Sequence, residues 1–393
     1  MNLSRASTPQ PGGTVRDASG SARTLVSELT ASGHLSDPLW RQAFLSVPRH
    51  VFLPWFYRAT RTGWQRIDEE SSGREAWVHL AYQDVTWVTR LSGPGSAHEE
   101  PASSCIQPSL AARMLAAVDV GKASHVLEVG TGTGYMTGLL CRRLGQDRVT
   151  SIDIDSSLID DAACHLATLG YRPALAVADG NDGHPDRALY DRLLATAAVD
   201  HIPAMWLAQT RPGGKILAPV RTALALLEVQ SGDCASGRFL PRPAHILPLR
   251  RLDAMPVRAG SPGGQTADRE TPSRQPATVL RDEDFRFFLA LALPEVDFQD
   301  DGMLGPMTLR DAGGSTARIG PLGDVQQRGQ RRLWSEVEDL HAQWEELGRP
   351  RREHFGLTVT PQAQTAWLRM GGEGRSWELH ATQGAGCQHC SGG

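Results

Sequence analysis

From Ser103 to about Pro219 the chain alternates short apolar runs with helix-like stretches, and this rhythm constrains the fold more than any other feature. "HVLEVG", "RVTSIDI", "ALAVAD", "YDRLLATAAV" and "GKILAPV" are near-continuously apolar, as strands buried on both faces must be. The helical segments between them predict a parallel sheet with helices on both faces. Behind the first run, "HVLEVGTGTGYMTG" packs four glycines into residues 125–138. A glycine inside a strand or helix costs about 0.5–1 kcal/mol against alanine, so such a cluster marks a backbone that turns tightly or admits a ligand. The spacing predicts a strand over 126–129, a turn from Gly130 to Gly134 and a helix over 135–144.

In an open parallel sheet, ligands bind beyond the carboxyl ends of the strands, at this first turn. Glycines let the backbone come close, and the following helix offers free N–H groups. A dinucleotide fingerprint reads G-x-G-x-x-G; the G-T-G-T-G here has the tighter spacing of nucleoside-binding methyltransferases. Taken alone, the loop could also be a plain structural turn. Asp153 ends the second run, 23 residues after Gly130, where a carboxylate can accept both hydroxyls of a ribose. Asp179 and Gly180 end the third run, placed to meet an adenine edge. The candidate cofactor residues are therefore Glu128, Gly130, Thr131, Gly132, Thr133, Gly134, Asp153, Ile154, Asp179, Gly180 and Thr196. The expected ligand is S-adenosyl-L-methionine.

Bulk properties narrow the partners. At 393 residues the chain has room for two domains. With 40 basic and 44 acidic residues the net charge is −4, so no global field favours nucleic acid or an anionic membrane, and neither is expected as a partner. No apolar run approaches the roughly 18 residues of a membrane span. Cys105, Cys141, Cys164 and Cys234 are scattered, which fits reduced thiols in a cytoplasm. "CQHC" at 387–390 stands alone in a Gly-rich tail without a second ligand pair, so no metal is expected.

Along the chain, residues 1–21 read as a flexible polar lead. Residues 22–251 read as one methyltransferase domain whose helical cap runs through "TLVSELTASG", "DPLWRQAFLSV" and "PRHVFLPWFY". A polar Gly/Pro/Ser-rich linker follows over 252–278. The α+β region over 279–380 starts with a strand in "FRFFLALALP". Its helix carries an apolar stripe of Leu333, Val337, Leu340, Trp344 and Leu347. A hairpin in "FGLTVTPQAQTAWLRM" comes next, and 381–393 is a flexible tail.

"VPRHVFLP", "AYQD", "IQPSLAARML", "VLEVGTGTGY", "SIDID", "ADG", "YDRLLATAA" and "RPGGKILAPV" occur in the order and spacing of the protein-L-isoaspartate O-methyltransferase family, which the chain resembles over residues 22–250. The extension, through "GGSTARIG", "RRLWSEVEDLHAQW" and "GRPRREHFGLTVTP", resembles the branch that matures ribosomally made peptides. The nearest likeness is to methyltransferases paired with ATP-grasp ligases, and lanthipeptide-associated relatives come next. The resemblance implies an α/β, Rossmann-like class I methyltransferase with a mostly parallel sheet, N-terminal helices and a smaller C-terminal α+β region. It also implies methyl transfer to an aspartate or isoaspartate carboxylate of a modified precursor peptide, leading on to succinimide and isoaspartate. A general isoaspartyl repair enzyme and a non-enzymatic peptide-binding scaffold are the alternatives.

A carboxylate is already ionised near neutral pH, so its attack on a sulfonium methyl needs no general base. Rate has to come from alignment and from excluding water. One position departs from the family. Its acceptor loop carries a serine just before the "QP" pair, bonded to the substrate carboxylate, and here that position is Ile106. Ser103 and Ser104 either supply the hydroxyl instead or cap the helix that begins near Pro108. His201, after the fourth run, is a candidate substrate contact.

Overall fold

The computed structural model describes residues 14–61, 63–93, 99–230, 233–250, 268–270, 275, 277–300, 306–320, 324–370 and 373–379. Most of the 252–278 linker and the whole 381–393 tail, including "CQHC", lie outside them. The chain forms two compact units. One comprises Met1–Ala197, Gln209–Leu217 and Ile246–Leu252; the other comprises Ala198–Ala208, Ala218–His245 and Asp253–Gly393.

The first unit opens with α1 (Thr14–Ala31), which reaches into the stretch read as a flexible lead, and α2 (Pro38–Ser46). Proline at the first position and Asp37 at the cap fix where α2 starts: Asp37 Oδ1 accepts the Leu39 N–H at 2.7 Å. The helical reading of "PRHVFLPWFY" holds only through a short 3₁₀ turn, Arg49–Phe52. Beyond Pro54 the aromatic run suits a pleated surface better, and β1 (Trp55–Thr60) begins. With β2 (Gly63–Asp68), β3 (Trp87–Ser92) and β4 (Glu100–Cys105) it makes an antiparallel sheet in the order β2-β1-β3-β4. Helices α3 (Glu69–Ser72) and α4 (Arg74–Ala81) connect β2 to β3.

After α5 (Pro108–Val118) comes the predicted alternation: β5 (Val126–Val129), α6 (Tyr135–Leu144), β6 (Val149–Asp153), α7 (Ser156–Thr168), β7 (Ala174–Val177), β8 (Tyr190–Ala195) and β9 (Thr210–Val220). The strands lie in the order β9-β8-β5-β6-β7, and every neighbouring pair is parallel. The chain runs outward from β5 to β7 and returns on the other side of β5 as β8. That reversal makes the carboxyl end of β5 the topological switch point, where an open α/β sheet has its crevice. All residues of β5 and β6 are buried. Each large aliphatic side chain there contributes about 1.5–3 kcal/mol, which holds the crevice floor rigid.

The second unit holds α8 (Ala204–Ala208) and strands β10 (Ala223–Val229) and β11 (Ala235–Pro243). It continues with β12 (Asp268–Glu270), α9 (Glu283–Ala292), β13 (Val296–Asp300), β14 (Met307–Asp311), β15 (Thr316–Ile319), β16 (Val325–Arg328) and α10 (Leu333–Glu346). It ends with β17 (Phe355–Val359), β18 (Gln364–Met370) and β19 (Glu373–Glu378). β10 and β11 belong to this unit because β11 pairs antiparallel with β17, Ala235 opposite Val359, giving the order β19-β18-β17-β11-β10. A separate antiparallel sheet runs β12-β16-β15-β14-β13.

"FRFFLALALP" is part of the helix α9, contrary to the strand expected for it. Asp282 caps α9 by accepting the Asp284 and Phe285 N–H groups, and Phe285, Phe287, Phe288, Leu289 and Leu291 are all buried. From Phe285 to Ala292 only Arg286 interrupts the apolar residues, so this part of the sequence imitates a buried strand. The α10 stripe is also rotated from the expected one. Leu333, Val337 and Trp344 are buried as expected, but Leu340 and Leu347 are half-exposed, while Trp334, Glu338 and His341 turn inward. The cause is α9, whose Phe285 ring stands edge-on to His341 at 4.8 Å and leans on Trp344 at 5.4 Å. Among the described residues no helix is long and apolar enough to cross a membrane, and no cluster of three or more His, Cys, Asp or Glu side chains is placed to hold a metal.

Candidate active site

The turn after β5 is built for close approach. Gly130, Gly132 and Gly134 have φ of 101°, 52° and 85°, a region in which side chains other than glycine are strained. A Cβ on Gly130 would meet Thr196 Oγ1 at 2.6 Å, and one on Gly134 would meet the Ala162 Cβ at 3.0 Å. The loop is tied down on every side. Gly130 and Thr131 both donate their N–H to the Ile152 carbonyl, Thr196 Oγ1 donates to the Gly130 carbonyl, and His165 Nδ1 lies 3.1 Å from the Thr133 carbonyl. Thr131 Oγ1 shares a 2.7 Å hydrogen bond with Ser151 Oγ on β6.

Asp153 sits at the end of β6 with its carboxylate turned to this loop. Oδ2 accepts the Gly132 N–H at 2.9 Å and Oδ1 accepts the Asp155 N–H at 3.1 Å. A carboxylate has about four lone-pair sites. Two are committed to backbone, and two remain for a ligand. Arg250 reaches both Asp153 and Asp155 at 3.7 Å, which steadies the paired negative charge. Ile154 follows Asp153, half-buried. Asp179 Oδ1 accepts both the backbone N–H and the side-chain N–H of Asn181 at 2.8 Å, a local Asx turn that aims the strand end. Gly180 is a packing requirement: a Cβ there would lie 2.6 Å from Leu249 Cδ1 and 2.8 Å from Val129 Cγ1.

Glu128 does not face the crevice mouth. It is fully buried beneath the loop, and Thr137 Oγ1 donates to its Oε2 at 2.6 Å while its Oε1 has no partner. Burial pushes its carboxyl up to about 8, the negative charge of Asp153 adds to the shift, and the hydroxyl hydrogen bonds oppose it. At neutral pH the group is therefore mostly a neutral acid, supporting the loop from below.

β4 lies against the turn. A Cβ on Gly132 would fall 3.6 Å from the Ser104 carbonyl oxygen and 3.9 Å from Ser103 Oγ, so both serines stand against the glycine turn. Neither caps α5. That work falls to Asp84, whose Oδ1 accepts the Ser109 N–H at 2.7 Å and whose backbone carbonyl accepts from Gln107 Nε2. Ile106 is half-buried and engaged through its backbone: its carbonyl accepts from Arg49 Nη2 at 3.1 Å. Arg49 is fully buried, also donates to the Gln83 and Val85 carbonyls, and lies over the Tyr135 ring at 5.6 Å. One guanidinium thus fixes residues 83–85 and 106. Nearby, Tyr82 shares a 3.1 Å hydrogen bond with His50, and burial pushes its phenol up to about 12.

Sequence reasoning passed over Arg49, Asp84 and Arg250 as site residues. "PRH" and "AYQD" stood in the motifs, but the carbonyls they hold are distant in the chain and carry no local signal. His201 lies in the second unit, beside Ile202, whose N–H and carbonyl are both held by the Gln364 side chain.

A family model described as Protein-L-isoaspartate(D-aspartate) O-methyltransferase (PCMT) matches residues 64–233. A protein-L-isoaspartate O-methyltransferase of Christiangramia forsetii is 39% identical over 232 residues, covering 56% of this chain and 93% of the relative. One of Thermotoga maritima is 25% identical over 324 residues, covering 81% of this chain and 90% of the relative. An alignment that long necessarily enters the region beyond residue 250. A solved protein-L-isoaspartate O-methyltransferase has the same fold, at a TM-score of 0.51 and 21% identity over 89% of this chain and all of that one.

Proposed function

This chain belongs to the protein-L-isoaspartate O-methyltransferase family, an S-adenosyl-L-methionine-dependent enzyme family, and from that premise we propose that it esterifies an aspartate or isoaspartate carboxylate within a peptide. The observation that carries the reading is the meeting of two parts at Gly132. On one side lie the Gly130–Gly134 turn, Asp153 and Asp179; on the other lie Ser103 and Ser104 of β4.

The residues fit the cofactor. The turn could not accept Cβ atoms at Gly130 or Gly134, and Asp153 keeps two lone-pair sites free. The backbone of Gly132 and Thr133 would hold the methionine end, Asp153 the ribose, and Asp179 the adenine edge. When bound, the cofactor supplies an electrophilic methyl on a sulfonium sulfur. The protein has no proton to move, because the acceptor carboxylate is ionised near neutral pH. Its tasks are to hold that carboxylate in line and to keep water out. With Ile106 in place of a serine, the hydroxyls available to the acceptor are those of Ser103, which is buried, and Ser104, which is half-buried. Arg49 keeps the strand carrying them in register with the turn.

The substrate we favour is an aspartate in a constrained, ribosomally made precursor peptide of the graspetide type, with succinimide and then isoaspartate as the downstream products. This rests on the likeness of the C-terminal stretches to peptide-maturation methyltransferases. The extension by itself is no argument, since the Thermotoga maritima relative aligns into it; that observation favours general isoaspartyl methylation as the second reading. Mass spectrometry separates the two. Incubated with S-adenosyl-L-methionine, the protein should add 14 mass units to the cyclised precursor and then lose methanol. Equal turnover of a linear isoaspartyl hexapeptide would favour the second reading, and no transfer to either would remove both.

A further inference from the structure

Beside the glycine turn, entirely within the first unit, a half-open hollow of about 320 Å³, open solvent at its mouth included, is walled by Phe52, Pro54, Trp55 and Leu158, with Thr89 and Arg90 along β3. Gly132 and Thr133 border it, while Asp153, Asp179 and Gly180 do not, so the cavity is separate from the nucleoside end of the crevice.

We propose that this cavity is a subsite for a large apolar side chain neighbouring the methylated residue, an inference that rests on the peptide carboxylate reading above. Continuity with the acceptor strand places it. Arg90 on the cavity wall is the cross-strand partner of Ser103, and Gly132 both borders the cavity and stands against Ser103 and Ser104. Adjacent strands lie about 4.8 Å apart. A residue whose carboxylate is held at Ser103 therefore has its chain neighbour within reach of the cavity, since consecutive Cα atoms are about 3.8 Å apart.

The chemistry of the walls selects the side chain. Four of them are apolar, and they are preformed: the Phe52 ring packs against Tyr135 at 5.6 Å and His165 at 5.8 Å, and the Trp55 indole lies under the Arg66 guanidinium at 5.0 Å. Preformed walls spare the ordering cost of binding. At the rim, Arg90 and Asp161 form a 2.6 Å ion pair with both partners partly in solvent. That rim offers a donor and an acceptor to a peptide backbone passing over it. An apolar residue is thereby drawn inward while its main chain stays solvated.

Calorimetric titration tests this on the full chain saturated with S-adenosylhomocysteine, using isoaspartyl hexapeptides that differ only in having glycine or phenylalanine next to the isoaspartate. The phenylalanine peptide should bind about tenfold more tightly, the scale expected for burying one large apolar side chain. Trp55→Ala removes a partly exposed wall and should erase that preference, and Leu158→Ala should weaken it. Affinity for S-adenosylhomocysteine should be unchanged in both variants. Equal binding of the two peptides by the wild type would overturn the subsite. So would a preference that survives both substitutions, or a matching loss of S-adenosylhomocysteine affinity. A clear binding preference without methyl transfer to either peptide would instead sink the carboxyl-methylation reading and leave the subsite standing.

Discussion

Glu128→Gln should remove most of the pH dependence of the first unit's stability between about pH 6 and about pH 9. The carboxyl is fully buried, and its pKa rises from an ordinary 4.5 to about 8. Because the folded value is the raised one, the folded chain holds a proton there that the unfolded chain has already lost. The stabilisation is complete below the unfolded pKa and disappears as pH climbs through the folded one. With those two values, the wild type should lose roughly 2–3 kcal/mol between about pH 6 and about pH 9 from this group alone. Glutamine keeps an acceptor oxygen for Thr137 Oγ1 but puts an amide at the unpartnered Oε1 position. That adds a constant cost of about 1–3 kcal/mol that does not vary with pH. The variant should therefore be the less stable protein at the acid end, with the gap closing or reversing at the alkaline end. Urea unfolding followed by circular dichroism across this range reads the difference directly. Parallel pH profiles for the two proteins would refute the reasoning, because a carboxyl ionised throughout cannot lose a pH term when it becomes an amide.

Asp153→Ala should weaken S-adenosylhomocysteine binding at least tenfold by calorimetry, a loss of about 1.5–3 kcal/mol from a charged acceptor. Asp153→Asn, which keeps one acceptor oxygen, should fall between the two; unchanged affinity in both would take Asp153 out of the site. A chain ending near residue 255 should aggregate on size exclusion, since it retains β11 without β17, its partner along Ala235–Arg238. A monodisperse truncated protein would show that this edge does not need covering.

The sequence was most readable where local chemistry alone decides the outcome. β5, its turn and α6 fall where the glycine spacing puts them, because residues with a side chain rarely adopt the φ of 101° and 85° found at Gly130 and Gly134. Asp37 and Pro38 likewise announce α2. Where the deciding partner is distant, the reading failed. The turned face of α10 is dictated by Phe285, far upstream, and past its first turn α9 has only Arg286 to betray its period. Its start was nonetheless legible: Asp282, Glu283 and Asp284 form a cap and an acidic first turn. At the site the same divide holds. Asp153 and Asp179 were visible as strand-end acids, but their commitments to Gly132, Asp155 and Asn181 were not. Capping was one of two open readings for the serines of β4 because Asp84, which takes that role, sits a whole hairpin earlier.

The register that sets Ala235 opposite Val359 also bears on how the protein is made. Translation proceeds from the N-terminus at about 5–20 residues per second. β11 therefore leaves the ribosome well before β17 exists, and until then it can pair only with β10. Such long-range pairing carries a large loop-closure cost and is slow to form. The nascent chain thus carries an open strand edge for seconds, within a segment whose Ala235 and Phe239 are buried in the finished fold. Synonymous codon choice and chaperone supply over residues 244–355 should consequently govern the yield of soluble protein more than changes within the β5–β8 core, which closes on itself as it emerges.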